Sequence, residues 1–381
     1  MNSRERVQTA LNHQEPDKVP FDLGGTPMSG IHITAYRNLR AYLGLPEIEI
    51  RVTDTIQQLA TVDDDVADRL EVDINNIAPR SSAKYNLVYR DEGDYTAYTD
   101  EWGIGWRQPK KGGLYYDMYQ WPLAQYETVE DIEQNYSWPD ASDANRYEGL
   151  REKALATIQQ GKAVVVGSLS AGISEMHAWT RGFEKYFTDF YLYPELAEYI
   201  MDTVVEMKMV YWENVLNQVG DLADVVIEAD DLAGQQNLFF SPEQYRQFIK
   251  PRHTKLFQFI KSRTSASMFY HCDGAIRPLL WDLIESGIDI LNPLQKVVGM
   301  DYAEIKKEYG NDLVFWGAGV DTQRIFDRAT PDEVREEVKR NIEIMAPGGG
   351  LVCTPIHNTQ ATVPPENYMA MWETLQEYGQ Y

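Results

Sequence analysis

Short apolar runs recur along the chain, each closed by glycine, proline or a polar cluster, and most are followed by residues at helical spacing. The runs fall near 19–23, 72–77, 163–167, 223–229, 266–270, 288–291, 313–316 and 351–354. Helical spacing predicts helices over 3–12, 33–43, 54–70, 183–190, 194–219, 277–286, 331–345 and 365–378, and the segment 138–161 also reads as helix. Ser3 is placed to cap the first of these, and Pro194, Pro242 and Pro331 sit where a first helical turn tolerates proline. Runs that are apolar throughout mark strands buried on both faces, as in a parallel sheet covered by helices. Eight such units predict an α/β fold, a (β/α)8 TIM barrel forming a single domain over 1–381.

The stretch 85–122 has a different rhythm. It alternates, is rich in Tyr and Trp, and is punctuated by Asp91-Glu92-Gly93-Asp94 and Lys110-Lys111-Gly112-Gly113. That is hairpin chemistry and predicts an antiparallel β-hairpin insertion within the barrel. Its aromatics either pack across the strands or lie over a flat substrate.

Composition narrows the partners. Hydrophobic residues make up 43% of the 381, enough for a sizeable core. A net charge of −24 argues against nucleic acid, whose phosphates need Lys and Arg. The two cysteines, Cys272 and Cys353, each end a predicted strand, which suits a reducing compartment better than a disulfide framework. The charged start Met1-Asn2-Ser3-Arg4-Glu5-Arg6 lacks the apolar core of a signal peptide, and no apolar run approaches the roughly 20 residues of a membrane span. A cytoplasmic protein with no membrane partner is expected. No Gly-x-Gly-x-x-Gly follows the first strand and no P-loop occurs, so neither a dinucleotide nor a nucleoside triphosphate is indicated.

In a barrel all strand C-termini share one face. Reading off those ends collects Asp22, Asn75, Ser168, Glu228, Asp230, Asp231, His271, Cys272, Asp273, Asn292, Gln295, Asp321, Cys353 and His357. His271, Asp273 and His357 make a two-histidine, one-carboxylate metal set, with Glu228, Cys272 and Cys353 as further ligand candidates. Nitrogen, thiolate and carboxylate together suit zinc. Without a metal, His271 and His357 remain acid/base candidates. Alternation puts Glu228 and Asp230 on one side of the strand end and Asp231 on the other. Crowded carboxylates raise one another's pKa, so Glu228 and Asp230 are general-acid candidates. Asp22, Asn75, Asp231, Asn292 and Gln295 are expected to face the substrate.

Several stretches together resemble the uroporphyrinogen decarboxylase superfamily: Arg4-Glu5-Arg6-Val7 with Pro16-Asp17-Lys18-Val19-Pro20, Asp230-Asp231-Leu232-Ala233-Gly234-Gln235, His271-Cys272-Asp273-Gly274, Asp289-Ile290-Leu291-Asn292-Pro293, Gly348-Gly349-Gly350, His357-Asn358 and Pro364-Pro365-Glu366-Asn367. The resemblance implies a (β/α)8 barrel and either a decarboxylase or a cobalamin-dependent methyltransferase. True decarboxylases carry an arginine-bearing N-terminal loop that grips propionates, whereas 23–30 here reads Leu-Gly-Gly-Thr-Pro-Met-Ser-Gly. Methyltransferases of the superfamily hold zinc through His-x-Cys and a later Cys. Here His271 matches the first position, Asp273 stands where that cysteine would be, and His357 stands at the later one. That harder set is similar to O-demethylating members, which take methyl from a methoxylated aromatic or another small methylated compound. The resemblance then implies cobalamin supplied by a separate corrinoid protein, because no Asp-x-His-x-x-Gly corrinoid motif occurs in the chain. The rival readings are a decarboxylase of a tetrapyrrole or smaller acid, with Asp230 as proton donor, and a non-catalytic ligand-binding barrel.

Overall fold

Seven of the eight apolar runs form one parallel sheet. In the computed structural model, which describes residues 1–381, the strands Ile74–Ile77, Ala163–Val166, Val225–Ala229, Ser267–His271, Ile290–Asn292, Val314–Ala318 and Leu351–Thr354 lie side by side in chain order. Every pairing between neighbours is parallel. The eighth run closes the ring as a short extended segment. Cys353 N donates to Pro20 O (2.8 Å) and Asp22 N donates to Cys353 O (2.9 Å), while on the other edge Asp73 N donates to Phe21 O (3.0 Å).

Alternation along the strands sorts side chains into two compartments. Ile74, Val165, Val225, Ile227, Phe269, Ile290, Val314, Trp316 and Val352 fill the lumen, and Val7 of the helix Ser3–Leu11 joins them from below. Residues of the other parity, among them Val226, Tyr270, Leu291, Phe315 and Leu351, pack outward against the helices. The longest helix, Pro194–Val219, buries Met201, Val205, Lys208, Trp212 and Val215 against the sheet.

Two departures from the sequence expectation have identifiable causes, one local and one distant in sequence. Of 54–70, only Asp64–Arg69 is helical, and Val52–Asp54 pairs antiparallel with Leu59–Ala60. The β-branched Val52, Thr53, Thr55 and Ile56 disfavour helix there, and Gln58 turns the chain at φ 54°. The helix Ile173–Arg181 was not expected, because nothing in its own sequence caps it strongly. Its cap comes from another strand end: Asp230 accepts from Ser174 N and Glu175 N, both at 2.8 Å.

The stretch 85–122 contains a four-stranded antiparallel sheet of Arg90–Glu92, Tyr95–Thr99, Gly105–Pro109 and Asp117–Gln120, paired in sequence order. It is tied to the loops around the barrel mouth. Tyr116 N donates to Ile56 O (2.9 Å), Leu123 N donates to Thr180 O (2.9 Å), and Tyr115 Oη bonds Gln360. Trp106 meets Trp179 edge to face with ring centres 5.4 Å apart. No helix of the chain is long and apolar enough to cross a membrane.

Candidate metal and acid site

His271 ends its strand in the same parity as Phe269, so its side chain continues the lumen side. Three residues later the chain turns at Gly274, whose φ is +93° and where a Cβ would lie 2.5 Å from Gly234 O. Only glycine fits that close approach, and the turn holds Asp273 beside His271. His357 arrives from the last strand, Leu351–Thr354. The neighbouring Asn358 anchors that loop by accepting from Gly30 N (2.6 Å) and donating to Pro27 O (3.1 Å).

The three side chains converge. The ligand-capable atoms of His271, Asp273 and His357 all lie within 4.8 Å of one another, and the two imidazole centres are 5.6 Å apart. His357 Nε2 stands 3.9 Å from Asp273 Oδ2, too far for a hydrogen bond. Asp273 Oδ1 is buried with no hydrogen-bond partner. Burial pushes the His357 imidazole below its ordinary pKa; the Asp273 charge opposes this and His271 adds to it. A neutral imidazole and an orphaned carboxylate oxygen are the states a divalent cation requires, so the donor set fits a metal.

A chain of buried hydrogen bonds runs behind His271. Its Nδ1 lies 2.6 Å from Asn292 Oδ1, and Asn292 Nδ2 donates to Trp316 O (2.7 Å). Trp316 Nε1 donates to Asp22 Oδ2 (2.8 Å), and Gly25 N donates to Asp22 Oδ1 (2.8 Å). Burial holds the Asp22 carboxyl up to about 6 despite these donors.

One further carboxyl adjoins the trio, and a second stands beside that one. Asp231 Oδ1 accepts from Asp273 N at 2.7 Å. Burial raises Asp231 to about 6; the charge of His271 opposes this and that of Asp273 reinforces it. Glu175 accepts from Gly172 N (3.1 Å), and burial together with the charges of Asp231 and Asp230 pushes its carboxyl well above the usual range. Sequence reasoning missed Glu175. Its only local signal was its place three residues after Gly172, where it accepts from Gly172 N, but glycine has no side chain to complete a capping box.

Other strand-end residues are placed elsewhere. Glu228 faces the helices, where Lys208 Nζ (2.7 Å), Trp212 Nε1 (2.6 Å) and Ser168 Oγ (2.9 Å) surround it. Asp230 caps Ile173–Arg181 and meets His253 Nε2 at 2.9 Å, so neither Glu228 nor Asp230 stands as a free acid in the lumen. Cys353 is not with the metal trio. Its parity matches Leu351, it packs in the outer core, and burial pushes its thiol up to about 12. Cys272 is likewise outward, its Sγ accepting from Leu232 N at 3.3 Å. Asn75 is exposed and bonds Thr157 (2.9 Å); the lumen position of that strand is Asn76, whose buried Oδ1 has no partner. Gln295 accepts from Gly274 N (2.9 Å), and Asp321 accepts from Gln323 N (2.8 Å). Both shape loops.

A family model described as Uroporphyrinogen decarboxylase (URO-D) matches residues 124–378. No curated protein matches the chain. Among solved structures, a methyltransferase from Methanosarcina mazei is 19% identical over 99% of this chain and 99% of its own, with a TM-score of 0.62. XEG5B, a GH5 xyloglucan-specific β-1,4-glucanase from a ruminal metagenomic library, is 10% identical over 98% of this chain and 97% of its own, with a TM-score of 0.44. At these identities the likeness to solved structures is one of fold.

Proposed function

The chain belongs to the uroporphyrinogen decarboxylase family, and from that premise we propose that it is a corrinoid-dependent methyltransferase. It takes a methyl group from a small methylated compound, such as a methoxylated aromatic, and passes it to a corrinoid held by a separate protein. The observation that carries the reading is the convergence of His271, Asp273 and His357 within 4.8 Å. Zinc held by these three would act as a Lewis acid toward the oxygen that loses its methyl group. The two thiols lie in the outer core, so the donor set is nitrogen and oxygen only, which suits an oxygen substrate better than a thiol.

The remaining steps fall to the protein's own groups. The oxygen left after methyl departure needs a proton, and Glu175, whose carboxyl is pushed above its usual range by burial and by the charges of Asp231 and Asp230, is the group we assign to supply it, with Asp231 beside it. The loop 23–30 has no arginine to clamp a polycarboxylate, which disfavours uroporphyrinogen as substrate. Two free cysteines are consistent with work in the cytoplasm.

The test is metal content of protein purified without chelator, together with methylation of free cob(I)alamin by a methoxybenzoate. About one zinc per chain, lost in His271→Ala and His357→Ala along with methyl transfer, supports the proposal. Metal-free wild-type protein that forms coproporphyrinogen from uroporphyrinogen would sink it.

A further inference from the structure

Asn292 was expected to face the substrate, but its amide is used on both sides. Its Nδ2 sits 2.7 Å from the Trp316 carbonyl, which can only accept, so Nδ2 is the donor and the orientation of the amide is fixed. Its Oδ1 is therefore the atom 2.6 Å from His271 Nδ1, and that contact is a hydrogen bond only if Nδ1 carries the proton. Asn292 is fully buried and register-paired with His271 on the adjacent strand, where Cys272 N donates to Asn292 O at 2.8 Å. The Trp316 end is equally fixed: its indole bonds Asp22 and packs edge to face on Phe269 with centres 5.4 Å apart. We infer that Asn292 is a positioning residue that holds His271 as the Nδ1–H tautomer and leaves the Nε2 lone pair for a ligand.

The consequence for the site rests on the metal reading above, whereas the tautomer assignment does not. A neutral histidine free to choose would divide its population between two tautomers, and only one leaves Nε2 bare. Asn292 removes that choice before anything binds. This reassigns Asn292 from substrate contact to support of the ligand set.

The experiment is long-range 1H–15N correlation of histidine-labelled, zinc-free protein at about pH 8, above the ordinary histidine pKa. His271 is expected to show a protonated Nδ1 and a bare Nε2; a protonated Nε2 overturns the inference without any variant being made. In Asn292→Leu the ring should lose its single tautomer, and affinity for zinc alone should fall roughly 10- to 100-fold. An Asn292→Leu protein with the wild-type tautomer and zinc affinity overturns the role. Wild-type protein that shows the Nδ1–H tautomer but takes up no zinc upholds the assignment and removes the metal reading instead.

Discussion

Glu228 and Asp231 leave the same strand end on opposite faces, and their surroundings give them different work. Glu228 is neutralised by Lys208 inside the helix layer, both side chains almost wholly buried. Removing one partner strands the other charge, so Glu228→Gln should cost about 3–5 kcal/mol in urea unfolding and leave turnover per folded molecule unchanged. Asp22 gives a pH-dependent prediction. Its folded pKa of about 6 lies above the ordinary 3.8, so the folded state holds a proton the unfolded chain has released. Its contribution is therefore intact below pH 3.8 and is lost as pH rises through about 6. Relative to wild type, Asp22→Asn should gain on the order of 2–3 kcal/mol between those limits, read as the difference between urea midpoints at the two pH values. Alternation separated Glu228 and Asp230 from Asp231 in the sequence alone. It could not say which parity faced the lumen, because strands covered on both faces are apolar at every position. Asn75 was therefore named where Asn76 is the lumen residue, and Cys353 was grouped with His357 although it points the other way.

Elements whose signals are internal were legible, and those completed by a distant residue were not. Pro331–Met345 carries its own Thr330 cap and proline start, and it lies where the sequence put it. Ile173–Arg181 borrows Asp230 from a strand 55 residues on, and no local pattern could have announced that. The seating of this helix depends on Gly172. A Cβ there would lie 2.2 Å from Ala229 O and 2.4 Å from Asp230 Cα, and both atoms belong to backbone that cannot yield cheaply. Gly172→Ala should destabilise the protein by about 1–3 kcal/mol or more in chemical denaturation, and should also displace Glu175. The four-stranded insertion was readable from its turns, but its attachment was not. Arg181, bonded to both Asp189 oxygens (2.7 and 3.0 Å) and to Leu123 O (2.7 Å), ties the end of the insertion to two helices.

At the scale of the molecule, the metal trio joins a strand in the middle of the barrel to the loop after its last strand, and Asn358 carries that loop to the N-terminal segment. A cation bound there would favour the closed ring over the open chain. Zinc at one hundred times its dissociation constant should add about 2.7 kcal/mol to stability, seen as a rise in melting temperature that His271→Ala abolishes. The eight-unit barrel was legible because each unit repeats the same short pattern, the run at 19–23 included; which edges that run joins was not, because a pairing between Phe21 and Cys353 leaves no local pattern in either stretch. That closure has a consequence during synthesis. Phe21 leaves the ribosome early, yet one of the two edges it joins includes Cys353, which emerges only after more than three hundred further residues. At roughly 5–20 residues per second, the nascent barrel spends tens of seconds with an unpaired seam. During that interval the waiting strand and the exposed sheet edge are open to chaperones and to neighbouring chains.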